Sequence, residues 1–154
     1  MLGDDLPPID DDVTIGHLLA HRSGIGDYYD EDVVESKTDY VLPVPVHRLA
    51  TTPDYLAVLD GHPQKFAPGE RFAYNNSGNN SGFVVLALIA ERAGAMPFPE
   101  SVRTRVCEPA GMRDTEFLRS DEPRERVALG YLDGESLRTN VLHLGRTRRQ
   151  RSTC

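Results

Sequence analysis

The chain has 154 residues, enough for one domain, and 27% of them are charged. Its 24 acidic residues outnumber its 17 basic ones, and the net charge of -7 argues against a general nucleic-acid-binding protein. Cys107 and Cys154 are too far apart for a disulfide framework or a zinc finger. The longest apolar run is far shorter than the about 20 residues that span a membrane. Because the acidic start also lacks a secretion signal, we predict a soluble protein, cytoplasmic by default.

Composition predicts three parts along the chain. Residues 1–12 form an acidic, extended lead-in, and residues 13–144 form the folded part. Residues 145–154 contain four arginines and neither an acidic nor an aliphatic residue. This basic tail cannot contribute to a core, and we predict that it is disordered.

The first predicted helix covers residues 14–22. Thr14 stands where its hydroxyl can accept a hydrogen bond from the first turn. Ile15, Leu18 and Leu19 then follow the helical spacing that places apolar side chains on one buried face.

A second helix is predicted over residues 53–60. Thr52 is the candidate cap, Pro53 is the candidate first helical residue, and Gly61 is the candidate end.

Two more helices are predicted, over residues 82–93 and 99–107. The first of them is apolar on almost every side, which predicts burial, and Gly94 is its candidate stop. The second carries Val102 and Val106 on one face. A short strand is predicted within residues 127–131.

A turn and a tandem repeat precede the third helix. Residues 67–70 read Ala-Pro-Gly-Glu, which is typical of a turn with proline second and glycine third. Residues 75–78 and residues 79–82 then both read Asn-Asn-Ser-Gly.

His17 and His21 have a spacing that can chelate a metal ion from one helix face. Zinc peptidases place a glutamate directly after the first histidine, whereas Leu18 stands there. Since no third ligand is evident, we predict no metal site and no cofactor.

Four stretches resemble the serine β-lactamase and D-alanyl-D-alanine peptidase-like family, which includes class-C-type enzymes and esterases. Residues 14–25 are similar to T-I-x-x-L-L-x-H-x-S-G-I, and residues 68–78 are similar to P-G-x-x-F-x-Y-S-N-x-G. The apolar helix ending at residue 94 is the third, and residues 108–117 are similar to E-P-L-G-M-x-D-T-x-F. The resemblance covers roughly residues 13–131.

The resemblance implies a fold and a chemistry. This chain would be mainly α, the helical part of the α/β β-lactamase/transpeptidase-like fold, with the central antiparallel sheet largely missing. In the family, the serine of an S-x-x-K motif forms a covalent acyl intermediate with a lactam, amide or ester. Tyr74 would be the catalytic proton-transfer residue and Asn76 would bind the substrate. The substrate would be a small molecule or of peptidoglycan type.

The chain departs from the family pattern at several points. No S-x-x-K and no K-T-G or H-T-G occurs, so we predict that the isolated chain is inactive. The repeat leaves two alternatives: Tyr74 and Asn76 are displaced from the helix by four residues, or Asn80 takes the place of Asn76. The chain is then either part of a hydrolase whose nucleophile lies elsewhere or is lost, or a non-catalytic remnant or small binding module. An uncovered apolar face would favour self-association.

Overall fold

The computed structural model describes three long stretches and three short ones: residues 9–28, 44–74 and 80–118, then residues 125, 130–131 and 138–139. The helices and strands follow in chain order: α1 (Ile15–Leu19), 3-10 turns at Val46–Arg48 and Thr52–Tyr55, α2 (Leu56–Leu59), α3 (Asn80–Gly94), α4 (Phe98–Val102), a π-helical turn at Arg103–Cys107, β1 (Gly130–Tyr131) and β2 (Arg138–Thr139). The described residues are therefore mainly helical, as predicted.

The sheet within the described residues is a single antiparallel pair, β1 with β2. Gly130 lies opposite Thr139, and Tyr131 lies opposite Arg138. Residues 127–129 of the predicted strand lie outside the described residues, as do most of the lead-in and the whole basic tail.

Helix α1 begins with a capping box, in which Thr14 is the cap, as predicted. The Thr14 hydroxyl accepts from the His17 N–H at 3.1 Å, and His17 Nδ1 accepts from the Thr14 N–H at 3.4 Å. The helix ends at Leu19, earlier than predicted, and His21 already has a left-handed φ of 54°. The prediction of one buried face was wrong for Ile15 and Leu19, which are 49% and 58% exposed. Since α1 is short and packs on α3, only Leu18 is buried there.

The second predicted helix begins one residue earlier than expected. Thr51, not Thr52, is the cap, because the Asp54 carboxylate accepts from both the N–H and the hydroxyl of Thr51, each at 2.7 Å. Pro53 is consequently the second helical residue rather than the first. Gly61, with φ at 82°, follows the end of α2 as predicted.

Helix α3 is buried along one face, not all round as predicted. Its buried residues share one side of the helix: Ser81, Gly82, Val85 and Leu88. Phe83 is 49% exposed, because the neighbouring elements cover only part of the helix surface. The helix continues to Gly94, and Ala95 takes the left-handed φ of 48° that ends it.

A π-helical turn changes which side of the fourth helix is buried. The Glu108 N–H reaches the Arg103 carbonyl, five residues back, at 2.9 Å. The wider turn shifts the buried position by one residue: Cys107 is buried, whereas Val106 is 52% exposed. Val102 and Val106, predicted on one face, therefore differ in burial, because Val102 is half-buried.

The core joins three helices and the segment after α1. Its buried members are Leu18, Ile25, Leu59, Val85 and Leu88. Within the described residues, no single helix is long and apolar enough to cross a membrane; α3 and the helix after it satisfy that criterion only as a pair, bent by 79°.

Candidate functional site

The segment that leads to Tyr74 begins with the predicted turn. The Glu70 N–H donates to the Ala67 carbonyl at 3.0 Å, and Gly69 has φ at 81°. This geometry, with proline second and a left-handed glycine third, is that of a type II turn. The prediction from Ala-Pro-Gly-Glu is confirmed.

Backbone hydrogen bonds tie this segment to the residues after α1. The Gly69 N–H donates to the Arg22 carbonyl at 2.8 Å, and the Ala73 N–H donates to the His21 carbonyl at 3.0 Å. The Arg22 guanidinium also donates to the Gly69 carbonyl. The residue directly before Tyr74 is therefore fixed to the chain at His21.

Gly24 allows the two segments to approach closely. The Lys65 N–H donates to the Gly24 carbonyl at 2.8 Å. A Cβ on Gly24 would lie 2.0 Å from the Phe66 carbonyl oxygen, and its φ is +72°. Both the contact and the backbone conformation require glycine.

Tyr74 lies in an exposed cluster of rings. Its ring meets the His21 imidazole edge-on, with centroids 5.0 Å apart, and stacks on Phe72 at 6.4 Å. The His21 ring also lies 5.2 Å from the ring of Phe83 on α3. We call His21, Phe72, Tyr74 and Phe83 the ring cluster. The Tyr74 side chain is 61% exposed and is open to a ligand.

The structure describes only one of the two candidate substrate-binding asparagines. Asn76 lies outside the described residues, together with the rest of residues 75–79. Asn80 is the first residue of α3 and is exposed. Its backbone N–H donates to Asp27 Oδ2 at 3.1 Å, so the second copy of the repeat supplies the helix start.

Sequence reasoning missed Asp27, a buried carboxylate beside this helix start. Only 3% of its surface is exposed, and Oδ1 accepts from the Ser81 hydroxyl at 3.2 Å. The Ser81 oxygen in turn accepts from the Tyr28 N–H at 3.1 Å. Burial, with a smaller effect from the carboxylate of Asp27 and from Tyr55, raises the pKa of Tyr28 to about 12. Ser81 is thus held in a buried network, away from solvent.

His17 in α1 and His21 beyond its end do not converge on a metal site. His17 Nδ1 contacts the Thr14 N–H, and a Cβ on Gly69 would lie 3.3 Å from His17 Nε2. The ring of His21 packs in the ring cluster instead. Among the described residues, no three His, Cys, Asp or Glu side chains are grouped for a metal ion.

Phe83 also lines an apolar groove of about 490 Å³. Other rings of the groove come from Tyr28, Tyr55, Phe98 and Phe117. Its volume lies within the range of small-molecule pockets, and none of the described residues that line it carries a charge.

Comparison with known proteins decides the family. The family model described as Beta-lactamase matches residues 3–152. The chain belongs to the β-lactamase family. A penicillin-binding protein of Bacillus subtilis (strain 168) is 32% identical over 135 residues, which are 84% of this chain. Esterase EstB of Burkholderia gladioli is 35% identical over 135 residues, which are 80% of this chain.

The fold of this β-lactamase-family chain also matches that of a solved structure. The crystal structure of a penicillin binding protein from Bacillus halodurans is 37% identical, with a TM-score of 0.74 over 92% of this chain and 44% of that one. The described helices are therefore the helical part of a β-lactamase/transpeptidase-like fold. The chain spans 27% and 30% of the lengths of the two curated relatives.

Proposed function

We propose that this chain carries the tyrosine side of the acyl-transfer site of a β-lactamase-family serine hydrolase. Tyr74 is the proton-transfer residue of that site, and the substrate is a lactam, amide or ester, either a small molecule or of peptidoglycan type. The observation that supports this most is the exposed Tyr74 phenol held beside the start of α3 through His21.

The substrate-binding asparagine of this proposal is Asn80, with Asn76 as the alternative. In the family pattern the asparagine is followed almost directly by the apolar helix, and here α3 begins at Asn80. Ser81 and Gly82 are buried directly after it, whereas the side chain of Asn80 is exposed. An exposed amide at a fixed helix start can donate to a substrate carbonyl.

The isolated chain forms no acyl-enzyme in this proposal. No serine stands three residues before Lys37 or Lys65, so the S-x-x-K nucleophile is not encoded in these residues. Ser81 cannot replace it, because its hydroxyl is buried and donates to Asp27. Without a nucleophile the covalent route is closed, whatever the state of Tyr74.

The test is intact mass after incubation with a labelled penicillin or a fluorophosphonate. We expect no mass increase in the wild-type chain, and no change on Tyr74→Phe. An increase of one acyl group that is lost on Ser77→Ala would contradict the proposed inactivity.

The tyrosine role requires a second experiment with a nucleophile present. If the coding sequence upstream holds an S-x-x-K in frame, its product is co-expressed with this chain and acylation is measured. Tyr74→Phe is then expected to slow acylation by about 10²–10⁴-fold, the usual size of a general acid–base contribution, and Tyr55→Phe to leave it unchanged. Equal rates for the wild type and Tyr74→Phe would remove Tyr74 from the mechanism.

The apolar groove favours a small binding module as the second candidate. Its uncharged, ring-lined walls suit an apolar aromatic ligand and need no nucleophile. Saturable binding of such a ligand, weakened by Phe98→Ala and unaffected by Tyr74→Phe, would favour this reading over the hydrolase.

A further inference from the structure

His21 contacts the chain on both sides of the tandem repeat. Its carbonyl accepts from the Ala73 N–H at 3.0 Å, directly before Tyr74. Its ring lies 5.0 Å from the Tyr74 ring and 5.2 Å from the Phe83 ring, centroid to centroid. One residue therefore contacts both Tyr74, which precedes the repeat, and Phe83, which follows it.

The backbone of His21 is suited to this position. Its φ of 54° turns the chain at the end of α1, and histidine is among the residues enriched in that left-handed region. The carbonyl and the imidazole then reach the same partner segment, one through Ala73 and the other through Tyr74.

We infer that His21 is a positioning residue, which sets the Tyr74 ring relative to the start of α3 independently of the number of residues between them. The inference rests on the proposed function, in which Tyr74 acts together with an asparagine at that helix start. It explains how a repeat of four residues is accommodated, because contacts from the end of α1 locate Tyr74.

The first test is nuclear magnetic resonance of the full chain with labelled tyrosine rings. Tyr74→Phe identifies the Tyr74 signals by their loss. His21→Asn tolerates the left-handed backbone and removes the ring, whereas His21→Phe keeps a ring. We expect His21→Asn to move the Tyr74 ring signals towards those of a tyrosine in the unfolded chain, while the Tyr55 signals and the melting temperature stay unchanged. His21→Phe is expected to restore most of the difference.

Unchanged Tyr74 signals in His21→Asn would overturn the inference. A His21→Phe chain that keeps its melting temperature but leaves the Tyr74 ring signals at their unfolded-chain positions would also overturn it. If His21→Asn does not fold, a deletion of one repeat copy provides the test instead.

The two copies are identical, so deletion of either gives the same chain. If His21 positions Tyr74, the deletion leaves the Tyr74 ring signals where they are in the wild type. If the connecting length positions it, the deletion shifts those signals and the inference is wrong. These signals do not depend on acylation, so an acyl adduct on the isolated chain would refute the proposed inactivity without affecting this test.

Discussion

Asp27 and Ser81 are 54 residues apart in sequence and share a hydrogen bond of 3.2 Å, with both side chains buried. The same carboxylate accepts from the Asn80 N–H, so it occupies the place that a local cap usually takes at a helix start. A carboxylate here also faces the positive end of the dipole of α3.

Asp27→Ala should therefore lower the free energy of unfolding by about 1–3 kcal/mol, because it leaves buried donors unpaired. Urea denaturation of the chain measures the change. Asp11→Ala removes an exposed carboxylate and should stay within about 0.5 kcal/mol of the wild type. Equal losses in both variants would show that Asp27 has no special role.

The raised pKa of Tyr28 predicts a loss of stability at high pH. The folded chain keeps the phenol neutral until the pH approaches its raised pKa of about 12, whereas the unfolded chain releases the proton near the ordinary pKa of 10.0. Tyr28 thus contributes its full stabilisation below pH 10 and loses it as the pH rises towards 12. The slope from this group approaches about 1.4 kcal/mol per pH unit.

The measurement is the pH dependence of the unfolding free energy for the wild type and for Tyr28→Phe. The variant keeps the ring and lacks the titrating hydroxyl, and the other tyrosines contribute equally to both curves. We expect the curves to diverge above pH 10, with the wild type falling faster. Parallel curves up to pH 12 would contradict the prediction.

Two glycine substitutions should have opposite effects. Gly24→Ala places a methyl group 2.0 Å from the Phe66 carbonyl oxygen at a positive φ, and should destabilise by about 1–3 kcal/mol. Gly94→Ala meets no atom within 4 Å at the end of α3, and should stabilise by up to about 1 kcal/mol. Thermal melting of both variants gives the sign of each change in stability. If Gly24→Ala stabilised the chain as Gly94→Ala is expected to, the close approach at Gly24 would be contradicted.

The exposed apolar side chains predict concentration-dependent self-association. Leu19, at the end of α1, is 58% exposed, and the neighbouring Ala20 is also exposed. Leu19→Lys and Ala20→Lys add the same charge, but only the first removes a large apolar group. Sedimentation velocity should show weaker association for Leu19→Lys than for Ala20→Lys. A wild-type chain that stays monomeric over a hundredfold range of concentration would refute the prediction.

Most local signals were interpreted correctly from the sequence, although the cap at Thr51 was placed at Thr52, whereas distant contacts were missed. The Thr14 cap and the turn at residues 67–70 depend on neighbours in sequence, and both are present. The burial of Asp27 depends on a helix that begins 53 residues later, and no local pattern marks it.

The same reason explains the errors at individual side chains. Helical spacing groups Ile15 with Leu18, but only the packing of α1 on α3 decides which of them is covered. Val106 was assigned by regular helical spacing, which the π-helical turn interrupts. No local pattern indicated the contacts of His21 with Tyr74 and Phe83, because both partners come from other parts of the chain.

The order of the core residues along the chain has a consequence for synthesis on the ribosome. Leu18, Ile25 and Leu59 all precede α3, and so does Asp27, which holds the start of that helix. When Val85 and Leu88 emerge, the side chains that cover them have already been made. The nascent chain can therefore close this core as α3 leaves the exit tunnel, before α4 has emerged.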